Sequence, residues 1–532
     1  MILLPLLLAC ADPPPPTRPN ILLISLDTVR ADHTSLGRTD RDTTPTLRGL
    51  AAGGTTFSRA FSQSNESAYS HGALFTGRYA TELAVPAYET YALPGTADLA
   101  SEVLRAHGYA TAMFSAGGHV DAAFGFDQGW DHFSAESGFG SLFDTAPKAE
   151  AWIGQQPVGP AAAPWFVFLH AYDAHRPYVR RGPWDHAFNA TLGSPLAELL
   201  ASSPCVSEMV IRDKLHPDVI PTWFAHTGGA QILSLSTYDR LQEAAPTGRS
   251  ITVPAADVAH VKDHYDGGLL YVDTLLGATL ARLQAAGALD NTVVLVVSDH
   301  GEDLLDHGFM NHRTGLTDST TRVPMVAWGP GFSGGGPKVV DGLVEARDVA
   351  ATLFAIAEAR PPVGSGGRDL RALAAGAAPP LDAVFIEGVM DQLSVRTGTH
   401  RLTVSEIDLK GDVPAALRAL KPGDPRLTLY DLVADPAEQV DRSAAEPAQT
   451  ARLLTALIDW RAGLTTGTHA LAQGEVPDAV AAELRAHGYW GAAPAAPTPG
   501  AADAAAAAAP APTTPPKDHC QDRFALERLV PR

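Results

Sequence analysis

Up to about position 300 the chain alternates two patterns: short runs that are apolar almost throughout, and longer stretches whose apolar residues recur every three or four positions. Segments 20–26, 109–114, 165–169 and 292–297 are of the first kind. A strand with one wet face would alternate, so uninterrupted runs of this length predict strands buried on both faces, as in a parallel sheet. Segment 257–287 is of the second kind, with Leu269, Val272, Leu276, Leu280 and Leu283 on one helical face. Strands alternating with helices predict an α/β fold with a large, mostly parallel central sheet flanked by helices. Ligands of such sheets gather beyond the carboxyl ends of the strands. Asp27, His170 and Asp299 each follow an apolar run and are candidates for one shared site.

Gly- and Pro-rich stretches at 334–336 and 361–367 read as loops. After about Leu381 a new block begins, with strand-like 383–386 and 393–395 and a helix near 450–460. The expected organisation is a catalytic domain over 19–380 and a smaller C-terminal α+β subdomain over 381–490. The Ala/Pro-rich tail at 491–532 cannot bury enough apolar surface to offset its ordering entropy. No internal repeat is present.

A formal net charge of −20 excludes a general nucleic-acid or anionic-membrane binder. It leaves an anionic substrate open, because a local metal and histidines can override the global sign. Three cysteines are too few for a disulfide framework, although Cys205 and Cys520 could pair in an oxidising compartment. Cys10 closes the apolar run 2–9 in a Leu-Leu-Ala-Cys sequence that resembles the lipobox of bacterial lipoproteins, and Pro13 to Pro16 follow as a stiff spacer. The run is too short to span a bilayer. Residues 1–18 are therefore expected to be an export signal and linker. Lipid on Cys10 would then tether the protein in the periplasm or on the cell surface, its one contact with a membrane.

Three segments carry chemistry. Asp27 opens Asp27-Thr28-Val29-Arg30-Ala31-Asp32-His33 at a strand end. Asp299-His300-Gly301-Glu302-Asp303, followed by Asp306, His307 and His312, crowds four carboxylates and three imidazoles into one short span. That is an odd composition for a solvated face and a suitable one for a divalent ion. The third is Ser67-Ala68-Tyr69-Ser70-His71, leading to Thr76-Gly77-Arg78. A hydroxyl just ahead of an apolar helical turn lies near a helix N-terminus, where dipole and free N–H groups favour an alkoxide and an anionic ester. Each carboxylate or serine alone would be read as a helix cap.

In order and spacing these segments resemble the sulfatase family of the alkaline phosphatase superfamily, from about Pro19 to Tyr489. Ser67 falls nine residues before Thr76-Gly77, at the family's nucleophile position, and Asp299-His300 falls at its second metal pair. Further echoes are Asp173 to Tyr178, Tyr265-Asp266-Gly267 with Tyr271 and Asp273, Arg322-Val323-Pro324, and Leu429 to Leu432 with Asp435-Pro436. The resemblance implies an alkaline phosphatase-like sandwich. It also implies one divalent metal ion on Asp27, Asp299, His300 and Ser67, with Ca2+ the first expectation and Mn2+, Mg2+ or Zn2+ the alternatives. His71, His175 and His312 are implied as catalytic or substrate-binding residues, and Arg78 as a substrate-binding one.

This sequence departs from the family at informative places. The Pro and Arg that mark a formylglycine site two and four residues after the nucleophile are Tyr69 and His71, which argues against formylglycine at Ser67. Thr28 replaces a second carboxylate after Asp27, His312 replaces the usual pocket Lys, and no Lys-x-His element is recognisable near 115–119. The expected function is a metal-dependent hydrolase of sulfuric or phosphoric esters, acting on a sulfated or phosphorylated glycan, lipid or small molecule. A phosphotransferase or phosphodiesterase working on surface glycans or lipids through unmodified Ser67 is the alternative enzyme. A non-catalytic surface-binding lipoprotein with the same fold is the alternative of another class.

Overall fold

The computed structural model describes residues 18–83, 92–176 (apart from 158, 160 and 161) and 250–465 (apart from 309, 314, 390 and 410), with a few positions between 178 and 234. The export segment with Cys10, Pro177, Cys205 and Cys520, and the Ala/Pro-rich tail lie outside the described residues.

The strands of the first 345 residues are, in chain order, β1 (Asn20–Leu26), β2 (Thr55–Phe61), β3 (Ala110–Ser115), β4 (His132–Ala135), β5 (Trp165–Ala171), β6 (Gln231–Ser234), β7 (Ser250–Val253), β8 (Thr292–Val297), β9 (Asp303–Leu304), β10 (Met310–Asn311), β11 (Arg322–Val323), β12 (Met325–Trp328) and β13 (Lys338–Glu345). Nine of them form one sheet in the order β11-β2-β12-β8-β1-β5-β3-β4, with β13 paired to β2. The four apolar runs predicted from sequence are its parallel heart, β3, β5, β1 and β8, continued in parallel by β4. Beyond β8 the sheet changes sense, since β12 runs antiparallel to both β8 and β2.

Successive side chains of a strand point to opposite faces, and here both faces are dry. Ile21 and Leu23 join Phe166, Phe168, Val293 and Leu295 in one core, while Leu22 and Ile24 join Val167, Leu169, Val294 and Val296 in the other. That is why the runs show no alternation. The helices used below are α1 (Pro45–Gly53), α2 (Ser67–Thr76), α3 (Ala100–Ala106), α4 (Leu142–Ile153) and α5 (Ala255–Ala285). α2 and α3 cover the first face together with helix Asp348–Ile356, and α1, α4 and α5 cover the second. α5 is the helix expected at 257–287 and buries Leu269, Val272, Leu276 and Leu283.

The C-terminal part is an antiparallel sheet of β14 (Ala383–Gly388), β15 (Gln392–Thr397), β16 (His400–Val404) and β17 (Leu427–Asp431). Helix Pro447–Gly463 lays Leu453, Leu454 and Leu457 on its apolar face, against Leu393, Val395, Leu402 and Leu429. A buried ionic clasp ties this sheet to the main body. Arg401 of β16 is fully buried, donates from Nε to Glu438 at 2.6 Å, and pairs with Asp318 through its other guanidinium nitrogen.

Candidate active site

Ser25 of β1 pairs with Val297 of β8. Two residues further on, the adjacent strands deliver Asp27 and Asp299 to the same sheet edge, both fully buried. Asp27, Asp299 and His300 each offer one ligand atom, and these atoms lie within 4.8 Å of one another. Ser67 completes the group from above. Glu66 has extended backbone, so α2 begins at Ser67 and its first turn faces the sheet edge. Ser67 Oγ donates to Asp27 Oδ2 at 3.0 Å and stands 3.3 Å from His300 Nε2.

The loop after β1 is held in an uncommon conformation. Thr28 has φ +56°, left-handed for a β-branched residue, and persists because its neighbours over-determine it. Its N–H donates to Asp299 Oδ1 at 3.1 Å, and its carbonyl accepts from Tyr265 Oη of α5 at 2.7 Å. Tyr265 Oη in turn accepts from the Arg30 N–H, and Ser298 Oγ accepts from the Val29 N–H. Asp299 Oδ1 also accepts from the His300 N–H at 2.8 Å, which leaves Oδ2 for the site. His300 engages Gly301 carbonyl through Nδ1 at 2.9 Å, so its Nε2 is the nitrogen presented. Gly301 is required there, since a Cβ would meet Ser319 carbonyl oxygen at 2.0 Å.

Two carboxylates buried side by side repel each other. Among the described residues, their ion-pair partners are imidazoles alone: His170 at 3.6 Å from Asp27, and His300 and His71 at 3.3 and 3.7 Å from Asp299. Asp27 Oδ1 and Asp299 Oδ2 have no hydrogen-bond partner. Burial and the neighbouring Asp299 push the Asp27 carboxyl up. Burial also works against the Asp299 carboxylate, but His300 and His71 outweigh it and hold that group low. Burial lowers the pKa of His71, His170 and His300, towards the neutral form in which imidazole ligates a metal. Two orphaned carboxylate oxygens, one neutral imidazole and one hydroxyl, converging in a dry pocket with excess negative charge, fit a single divalent cation.

Around this group stand residues that the sequence reading placed and residues that it missed. The His312 ring lies 4.2 Å, centroid to centroid, from His300, and His175 lies 5.5 Å from His312. Burial disfavours a charged His312, yet Glu302, 3.4 Å from Nδ1, and Glu66 raise its pKa. Glu66 itself is fully buried. Arg313 Nε donates to it at 3.0 Å and His119 Nδ1 lies 3.0 Å away, which keeps it ionised against burial. Tyr172 Oη accepts from the His119 N–H at 3.3 Å. Glu66, His119, Tyr172 and Arg313 were not singled out. The available signals were adjacency, Glu66 to Ser67 and Arg313 to His312, and a lone His119 where a Lys-x-His was sought.

Two expected substrate contacts stand differently. His71 is buried against Phe126 and Phe168, with Nε2 2.9 Å from Ser25 Oγ and Nδ1 2.8 Å from Ser67 carbonyl. Both ring nitrogens are thus engaged, which ties His71 to the start of α2, and Nδ1 also stands 3.7 Å from Asp299 Oδ2 beside the ligand group. Arg78 lies past the opposite end of α2, a helix of 10 residues and so about 15 Å from Ser67, with its guanidinium on Val363 carbonyl. Of the charged run after Asp299, only His300 joins the ligand group. Asp303 pairs with His307, and Asp306 pairs with Arg30 and Lys262. Several family echoes are structural: Asp173 accepts from Ser141 Oγ and Leu142 N–H at the start of α4, and Asp273 caps α1 through Thr46 and Leu47 N–H.

The family model described as Sulfatase matches residues 19–359. An arylsulfatase of Clostridium perfringens is 35% identical over 115 residues, 21% of this chain and 24% of that protein. A multifunctional alkaline phosphatase superfamily protein of Trinickia caryophylli is 25% identical over 207 residues, 39% of this chain and 37% of that protein. The chain thus spans well under half the length of these curated relatives. Among solved structures, the phosphonate monoester hydrolase of Agrobacterium radiobacter superposes with a TM-score of 0.61 at 21% identity, over 84% of this chain and 96% of that one. A protein crystallised with its substrate D-glucosamine-2-N,6-O-disulfate gives a TM-score of 0.62 at 17% identity, over 87% of this chain and 99% of that one. At those identities the structural likeness speaks for the fold. The match over most of the described chain, on a sheet edge that gathers Asp27, Ser67, Asp299 and His300, makes this chain a member of the sulfatase family.

Proposed function

We propose that the chain is a metal-dependent ester hydrolase whose nucleophile is the unmodified hydroxyl of Ser67. The observation that carries this reading is the position of Ser67 Oγ, at the start of a buried helix, 3.0 Å from Asp27 and 3.3 Å from His300. A divalent cation held by Asp27, Asp299, His300 and Ser67 would lower the hydroxyl's pKa and offset charge on the transferred group. The imidazole among the donors favours Mn2+ or Zn2+ over Ca2+, whose sites are built from oxygen.

The chain's own groups do the rest. The N-terminus of α2 offers N–H groups and its dipole to the ester's anionic oxygens. His312, biased towards its charged form by Glu302 and Glu66, gives a proton to the departing alcohol. His71, locked between Ser25 and Ser67 carbonyl, keeps the nucleophile in register. Tyr69 and His71 replace the residues that direct formylglycine formation, and a bare hydroxyl lacks the aldehyde hydrate that releases sulfate. Phosphoric or phosphonic monoesters are therefore proposed ahead of sulfuric esters. Export and lipid attachment at Cys10 belong to the same proposal, supported by the apolar run before it.

The test is the mass of the tryptic peptide from Ala60 to Arg78, with turnover of aryl phosphates, phosphonates and sulfates by the full chain. The expected result is an unmodified Ser67, phosphorus esters turned over faster, and loss of several orders of magnitude in Ser67→Ala with metal retained. An aldehyde mass with preference for aryl sulfates overturns the hydroxyl mechanism. Full activity in Ser67→Ala removes Ser67 from the chemistry.

A further inference from the structure

α5 carries a second pair of metal-type ligands that the proposed reaction does not use. His260 and His264 stand one helical turn apart and are both buried, each with 6% of its surface exposed. Their rings meet edge to face, with centroids 4.6 Å apart, and the two Nε2 atoms lie 3.0 Å from each other. An i, i+4 histidine pair on one face is a recurrent half-site for zinc. The separation is informative. Two nitrogens each bound to one ion at the usual zinc distance are about 2.9 Å apart at a right angle and about 3.4 Å apart at the tetrahedral angle. The observed distance falls inside that interval, so the rings would hardly move to share a cation. Asp257 precedes His260 by one turn and is also buried, which places a carboxylate on the same face.

The pair is separate from the Asp27 group. The next residue along, Tyr265, points its hydroxyl to the backbone of Thr28 and Arg30, whereas His260 and His264 point at each other. In the neutral pair one N–H faces one lone pair. For both Nε2 atoms to ligate a cation the donating ring changes tautomer and carries its proton on Nδ1, so each imidazole stays neutral.

We propose that His260 and His264 form an accessory binding site for a borderline divalent cation, Zn2+, Co2+ or Ni2+, on the N-terminal half of α5. Bound there, the cation would clamp the second turn to the third in the helix whose Tyr265 buttresses the strained loop at Thr28.

The experiment is metal stoichiometry of the full chain, stripped with chelator and then equilibrated with Zn2+ or Co2+. Wild type is expected to bind one equivalent more than His264→Gln, and Asp299→Ala is expected to keep the equivalent that His264→Gln loses. The two variants together separate this site from the catalytic one, whichever way the proposed reaction fares. If His264→Gln does not fold, protection of His260 and His264 from diethyl pyrocarbonate in wild-type protein, with and without Zn2+, reads the same contact by peptide mass. Protection by Zn2+ at least tenfold at both residues supports the site. Equal stoichiometry in wild type and His264→Gln, or equal modification with and without Zn2+, shows a plain imidazole–imidazole hydrogen bond and overturns it.

Discussion

Asp27→Asn separates the two roles of the ligand group, because it removes a charge while keeping the shape. The ligand atoms of Asp27 and Asp299 are no more than 4.8 Å apart. At that separation two full charges repel by about 3.5 kcal/mol at an effective dielectric of about 20. The raised pKa of Asp27 relieves part of this in the metal-free protein by favouring its protonated form. A raised folded pKa means that the contribution of Asp27 to stability is fully present below its unfolded pKa, about 3.9, and is lost as pH rises through the folded value. Asp299 runs the other way: held low by its histidines, its contribution is present above the unfolded pKa and is lost in acid. An amide at position 27 abolishes the first dependence and can donate to Asp299. In chelator, Asp27→Asn should therefore be more stable than wild type by about 1–3 kcal/mol near pH 8, with the gap closing near pH 5. With metal at about 100 times its Kd the order should reverse, since wild type gains about 2.7 kcal/mol and the variant gains almost nothing. Urea unfolding followed by tryptophan fluorescence, at both pH values with and without metal, measures all four quantities. A metal-free variant less stable than wild type by the same amount at both pH values would refute the repelling pair. Equal stabilisation of both proteins by metal would refute the ligand assignment.

Arg401→Met leaves Glu438 buried without its cation and Asp318 with Arg396 alone, and should cost about 3–5 kcal/mol, seen as early loss of signal from Trp460, which stacks on Phe385. Gly301→Ala drives a methyl into Ser319 carbonyl and displaces the acceptor of His300 Nδ1. It should cost about 1–3 kcal/mol and lower metal content, read by denaturation midpoint and elemental analysis. Cys10→Ser should move the protein from the membrane fraction to the soluble fraction of the envelope, and an unchanged distribution rules out lipid at that residue.

The parallel heart of the sheet was legible because both faces of β1, β3, β5 and β8 are core, so burial alone set their composition. β2 gave no such run: it alternates Thr, Ser and Arg with Phe and Ala, and is placed by β12 and β13, which lie more than 260 residues later. Asp27, Asp299 and His300 were legible for a similar reason, since a strand end fixes where its next residue goes. Side-chain direction within α2 was not. Every residue of that helix is buried, so periodicity could not show that His71 turns towards Ser25 or that Arg78 leaves at the far end. The tie between Glu66 and Arg313 spans 247 residues, and nothing local announces it.

The place of β1 bears on how the molecule is made. Among the described residues the first strand in chain order is a central one, and both of its neighbours come late. Asn20 bonds to Trp165, 145 residues on, and to Thr292, 272 residues on. A nascent chain therefore carries this strongly apolar strand unpaired until β5 is made, 145 residues on, and open along its other edge until β8 is made, 272 residues on, and loop-closure entropy opposes both pairings. Folding should be slow, and the chain must extend past β8 before Asp27 meets Asp299. Such a chain is ill suited to being expressed in fragments.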